Sequence, residues 1–181
     1  MNEPKGFVDL HVHTNFSDGT FSPVEAVSYA LEQGLSAIAV TDHDSVDGIA
    51  PCIEAAQGST LAIVSGIELS AEIDDFEIHL IGLCIAWDNP SFLAKLREIR
   101  QARFSRMQKM IEKLNALGIA ITMDEVMAVG NAEGALGRLH LARALFLKGA
   151  VTSIKEAFDR FISRNKPCYV KRMIIPPQEA L

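Results

Sequence analysis

"GFVDLHVHTNFSDGTFSPVEAVSYALEQGLSAIAVTD", residues 6–42, decides the fold. It reads as strand, helix, strand. Phe7 and Val8 open an apolar run that ends in His11 and His13. Ser22 is placed to cap a helix, with Pro23 in its first turn and Glu25 completing a capping box. Val27, Ala30 and Leu31 give that helix one apolar stripe, and Gly34 stops it. Residues 36–42 then form an almost wholly apolar strand, as expected of a parallel strand covered on both faces. A short helix near 48–57 and strands at 61–69 and 77–85 continue the series. The βαβαβ order predicts an α/β fold built on a parallel sheet or barrel.

The pattern changes after Trp87. Asn89 and Pro90 open a long helix that reaches about Leu117, with Phe92, Leu96, Ile99, Met107, Ile111 and Leu114 as its apolar stripe. Thr122 with Glu125, and Ser153 with Glu156, mark two further helix starts. Between them the glycine-rich "VGNAEGALG" leads into "RLHLARALFLKG". "KPCYVK" (166–171) resembles a strand, and "PPQEAL" (176–181) the opening of another helix. The chain therefore divides into a first barrel part (1–89), a helical insertion subdomain (90–165) and a return to the barrel (166–181).

Composition narrows the function classes. The chain has 181 residues, 49% hydrophobic, enough for a sizeable core. It contains no run of apolar residues long enough for a membrane span and no apolar leader, so neither a membrane partner nor export is expected. Three widely spaced cysteines form no zinc pattern or disulfide frame, which fits the cytoplasm. The net charge is −6, yet residues 91–117 hold seven basic residues against two acids. This balance disfavours duplex DNA as a partner while offering local positive charge to a small anion.

The chemistry sits at successive strand ends. Alternate strand residues share a face, so His11 and His13 project together. Asp18 follows in the next loop, His43 after the second strand, Glu68 at the end of the third, and His79 in the fourth. Each alone is a weak signal. Together, four imidazoles and two carboxylates at one end of an α/β sheet make a metal site the economical reading, because metal relieves both their repulsion and their desolvation. A mixed nitrogen and oxygen set suits Zn, Mn or Fe better than Mg. Glu68 is placed to bridge two ions.

"DLHVHTNFSDG", "AVTDHDSVDG", "GIELS" and "EIHLIG" resemble, in order, the motifs of the PHP (polymerase and histidinol phosphatase) family of metal-dependent phosphoesterases. "GRLHLARALFLKGAVTSIKEAFDRFISRNKPCYV" further resembles the helical insertion of a branch that includes nucleoside 3',5'-bisphosphate phosphatases and enzymes that trim short RNA from its 5' end. The resemblance implies a distorted (β/α)7 barrel with two or three divalent ions (Mn, Zn or Fe). It makes His11, His13 and Glu68 ligands of one ion, Asp18 and His43 of a second, and Glu68 and His79 of a third. It assigns hydrolysis of phosphomonoesters by metal-activated hydroxide, with Glu68 and His43 as catalytic groups. Arg138 and His140 open a helix after a glycine-rich loop, where free N–H groups favour an anion, so both are expected to hold substrate phosphate. Arg103 and Arg106 are the basic-helix residues expected to face the same cleft.

In two respects the sequence departs from the resemblance. Related chains continue for about another hundred residues by resemblance, and supply further histidine and aspartate ligands there. No histidine follows His140 here. The barrel is therefore expected to be incomplete, as part of a longer protein or as a chain compensated by self-association. A metal- or nucleotide-binding module without turnover, and an amidohydrolase-like metallohydrolase, are the competing readings. Glu68, where an amidohydrolase would be expected to carry lysine or histidine, favours phosphoester chemistry.

Overall fold

The computed structural model describes residues 6–73, 76–129 and 135–173. Four strands, β1 (Phe7–Val12), β2 (Leu35–Val40), β3 (Ala62–Ile73) and β4 (Phe76–Leu83), form one curled sheet in the order β1-β2-β3-β4. The first three run parallel, joined through α1 (Pro23–Glu32) and α2 (Ile49–Ala55). The fourth is antiparallel to β3, with Glu68 opposite Ile81 and Ser70 opposite His79. Two residues separate β3 from β4, and that distance closes only as a hairpin. The sheet thus departs from a purely parallel one at its last strand.

The cap of α1 forms as its sequence predicts. The Ser22 hydroxyl accepts the Glu25 N–H, and the Glu25 carboxylate accepts the Ser22 N–H at 2.8 Å. Ala26, Val27 and Ala30 carry its buried face, whereas Leu31 is exposed. β1 lies at the edge of the sheet, and Phe7, Val8 and Leu10 are all exposed on it.

The long helix α3 (Pro90–Ala116) is capped by Asn89, whose side chain accepts the Ser91 and Phe92 N–H groups. It serves two cores. Leu96 and Ile99 pack with Val27, Ile38, Ile49 and Ile67 against the sheet. Met107, Met110, Ile111 and Leu114 pack instead with Leu141, Leu145 and Ile162. The second core gathers α4 (Met123–Met127), α5 (Arg138–Leu147), α6 (Ile154–Ala157) and a single π-helical turn at Phe158–Ile162. The first half of α3 therefore belongs to the sheet core, so packing passes smoothly across the change in sequence pattern at residue 90.

The strand expected at 166–171 does not form. Residues 169–173 are irregular, and their carbonyls are taken by side chains of α3: Arg106 Nε donates to Val170 O and Lys113 Nζ to Tyr169 O. The helix start expected at 176–181 lies outside the described residues. Among the described residues, no helix is long and apolar enough to cross a membrane.

Candidate metal centre

Glu68 is the hub. Its position is fixed by backbone as much as by side chain: its N–H donates to Asp42 O at 3.2 Å, and its carbonyl accepts the Asp44 N–H at 3.0 Å. The β2 exit loop is thereby stitched to β3, and His43 is carried over the Glu68 carboxylate. That carboxylate is buried, with His11 Nε2 and His13 Nε2 at 2.7 and 2.8 Å from Oε2. His79 Nδ1 lies 2.5 Å from Oε1, and His43 Nδ1 3.7 Å from Oε2. Asp18 faces His13 Nδ1 at 3.2 Å and His43 Nε2 at 3.7 Å. All six residues singled out in the sequence converge on one place.

Three overlapping triads have donor atoms within 4.8 Å of one another: His11, His13 and Glu68; His13, Asp18 and His43; and His43, Glu68 and His79. These residues fit a divalent metal in two further respects. His43 Nδ1 is buried without a hydrogen-bond partner, a state that costs about 1–3 kcal/mol unless the lone pair has an acceptor other than hydrogen. Burial also drives the His43 pKa down to about 4, despite the charges of Asp18 and Glu68, so its ring is neutral at pH 7. Asp18 is held ionised, its pKa lowered to about 2 by the hydrogen bond to His13 and by the neighbouring imidazoles.

His13 differs. Burial pulls its pKa down, but the hydrogen bond and charge of Asp18, with the charges of Glu68 and Asp42, outweigh that, and the net shift is upward from 6.5. A raised pKa means that a proton competes with metal for this ring at and above pH 6.5. Metal affinity is accordingly expected to fall as pH drops from 8 to 6, with His43 adding a second loss only near pH 4. Binding of Mn²⁺ measured across that range tests this. An affinity independent of pH between 6 and 8 would contradict it.

The profile of the PHP domain family matches residues 9–167. This chain belongs to the PHP domain family. Over 174 residues it is 32% identical to a 3',5'-nucleoside bisphosphate phosphatase of Chromobacterium violaceum, a match covering 96% of this chain and 61% of that protein. It is 36% identical to the 5'-3' exoribonuclease Rnm of Escherichia coli, covering 94% and 57%. A solved structure of an amidohydrolase from C. violaceum, with bound sulfate and no metal, superposes with a TM-score of 0.88 at 32% identity, covering 96% and 61%. A structure from Bifidobacterium adolescentis gives 0.88 at 29% identity, covering 99% and 63%. The chain thus spans about three-fifths of the length of these relatives.

Beside the PHP donor cluster lies a cleft lined by Asp18, His43 and His79 together with Arg103, Arg106, Arg138 and Arg172. Burial, with the charges of Arg138 and Arg172, lowers the Arg106 pKa to about 10. Arg106 and Arg138 both lie over the Tyr169 ring, and Arg138 also over Phe158. Arg172 was not anticipated from sequence, where it follows the strand expected at 166–171, a segment that is irregular in the fold.

Two expected substrate contacts sit differently. Arg103 borders the cleft, but its guanidinium is occupied: Nε donates to Asp44 at 2.7 Å, and its terminal nitrogens to Leu136 O at 3.0 Å and Ser70 Oγ at 3.2 Å. Asp44 is buried with φ 49, and Ser70 N–H donates to it at 3.0 Å. Arg103 therefore neutralises a buried carboxylate next to His43. His140 is buried, and both its ring nitrogens are bonded to backbone groups.

The loop carrying Asp18 is organised by a residue outside the expected set. Asp42, fully buried, accepts hydrogen bonds from Thr14 N–H and Oγ1 at 2.7 Å each and from Ser17 Oγ at 2.6 Å. Glycine is required beside it, since a Cβ on Gly48 would stand 2.6 Å from Asp42 Oδ2 and 2.9 Å from Thr14 Oγ1. The signal was present in "TDHD", where Asp42 directly precedes His43 of the donor cluster, but only the folded loop shows which donors it receives.

Proposed function

We propose that this protein acts as a metal-dependent phosphoesterase on phosphomonoesters of nucleotides, such as nucleoside 3',5'-bisphosphates or short RNA 5' ends. One observation carries the reading: Asp18, His43 and His79 of the six-residue donor cluster line a cleft together with four arginines. The names of the C. violaceum and E. coli relatives support the nucleotide class. In this reading the curled sheet is part of a (β/α)7 barrel and residues 90–165 are its helical insertion. All three cysteines are free, which supports a cytoplasmic location.

His11, His13 and Glu68 would hold one ion, Asp18 and His43 a second, and Glu68 and His79 a third. Such ions, Mn, Zn or Fe by the donor chemistry, supply a hydroxide nucleophile at neutral pH and positive charge against the phosphoryl oxygens. Glu68 keeps the cluster together and charged. Neutral His43, beside the cleft, keeps a lone pair available to an ion at neutral pH. Arg106 and Arg138 receive a phosphate in charge-assisted, bidentate fashion, and stacking on Tyr169 and Phe158 keeps their planes oriented.

Phosphate release from a nucleoside 3',5'-bisphosphate, compared with a simple aryl phosphate, tests the assignment. Arg138→Ala is expected to raise KM for the bisphosphate by about 1.5–3 kcal/mol, or roughly 10- to 150-fold, and to change the aryl substrate much less. Equal effects on both substrates would make Arg138 structural.

A further inference from the structure

The loop between β1 and α1 is gripped from two sides. From the sheet, Asp42 binds Thr14 and Ser17. From the helical segment, Ala135 N–H donates to Phe16 O at 3.0 Å, and His140 reaches Ser17. His140 Nδ1 accepts the Gly137 N–H at 3.0 Å, so the proton is on Nε2, which donates to Ser17 O at 2.9 Å. Ser17 directly precedes Asp18. Its hydroxyl, while donating to Asp42, lies 3.3 Å from His13 Nδ1. One residue thus connects to two of the proposed ligands, and His140 holds it from 123 residues away.

Packing does not account for an imidazole here. The apolar face of α5 is supplied by Leu141, Ala142, Ala144 and Leu145, and His140 is the polar group buried beside them. Burying a polar ring costs free energy that is recovered only through its hydrogen bonds, and one of the two goes to the Asp18 loop. The ring is buried and does not line the cleft.

We infer that His140 is a positioning residue for the metal centre: its Nε2–H fixes the Ser17 carbonyl, and through it the Asp18 carboxylate and the tautomer and orientation of His13. The helical segment is then a structural part of the metal site in addition to walling the cleft. This inference rests on the metal-dependent reading above. Outer groups that orient ligands in this way typically govern metal affinity by about 10- to 100-fold.

The probe is Mn²⁺ alone, titrated calorimetrically into the 181-residue chain and its variants, with thermal unfolding followed in parallel. His140→Leu is expected to weaken at least one Mn²⁺ site by about 10- to 100-fold. His140→Gln places an amide N–H near the Nε2 position and should restore most of the affinity. His140→Asn reaches only the Nδ1 position and should not. If His140→Leu fails to fold, the Gln and Asn variants decide the matter between them. In phosphate release, kcat should fall in His140→Leu with KM little changed. Wild-type Mn²⁺ affinity in His140→Leu, equal affinities in the Gln and Asn variants, or an effect confined to KM would each overturn the positioning role. A wild-type chain that takes up no Mn²⁺ would instead overturn the metal reading itself, and this inference with it.

Discussion

Glu68→Gln is expected to lower metal-dependent phosphate release at least a hundredfold, about 3 kcal/mol of barrier, and to weaken metal binding at more than one position. Glutamine matches the size of glutamate but removes the charge that faces His11, His13, His43 and His79. The carboxylate is drawn below its ordinary pKa: burial raises it, but the hydrogen bond to His11 and the charges of the other histidines prevail. It is therefore ionised at neutral pH, and the substitution deletes a full charge. The backbone bonds of Glu68 to Asp42 and Asp44 survive the change, so the fold should persist. Kinetics at saturating Mn²⁺ decide the point, and activity within threefold of wild type would remove Glu68 from its central place.

The second large effect is on stability. Asp42→Ala leaves the Thr14 N–H, the Thr14 hydroxyl and the Ser17 hydroxyl without their buried acceptor. Each unsatisfied donor costs about 1–3 kcal/mol, and hydroxyls recover part of that by rotating, so a loss of about 3–5 kcal/mol is expected. Asp42→Asn keeps one acceptor oxygen and should cost less. Urea unfolding of both variants measures this. A destabilisation below about 1 kcal/mol for Asp42→Ala would show that the loop finds other partners.

The six donor residues of the cluster were legible in the sequence because strand periodicity is short-ranged. His11 and His13 lie at the end of the first apolar run and His43 just past the second, whereas Glu68 falls inside β3, which runs on to Ile73. The supporting groups were not legible, because their partners are distant. Asp42 and Asp44 lie in the same four-residue motif as His43, yet Asp42 turns toward the loop at 14–17 and Asp44 toward Arg103 on α3. Which of the seven basic residues of that helix would face inward depended on its rotation against the sheet, and Arg103 proved to meet a buried acid first. His140 illustrates the same limit. A histidine at a helix start after glycines reads as an anion contact, and only the folded chain reveals that Ser17 O occupies its donor. The strand expected at 166–171 failed for a related reason: apolar and β-branched content favours a strand, but side chains of α3 take the carbonyls that a neighbouring strand would have used.

The central claim is that six side chains from β1, β3, β4 and the loops after β1 and β2 form one centre for divalent metal. It is tested most directly by equilibrium titration of this chain with Mn²⁺ at pH 7.5, with bound ions counted per chain. The account predicts at least two ions bound in the micromolar range, with both weakened together in Glu68→Gln because that carboxylate is shared. Failure to bind any ion at millimolar Mn²⁺, Zn²⁺ or Fe²⁺, or Glu68→Gln binding as wild type, would contradict it.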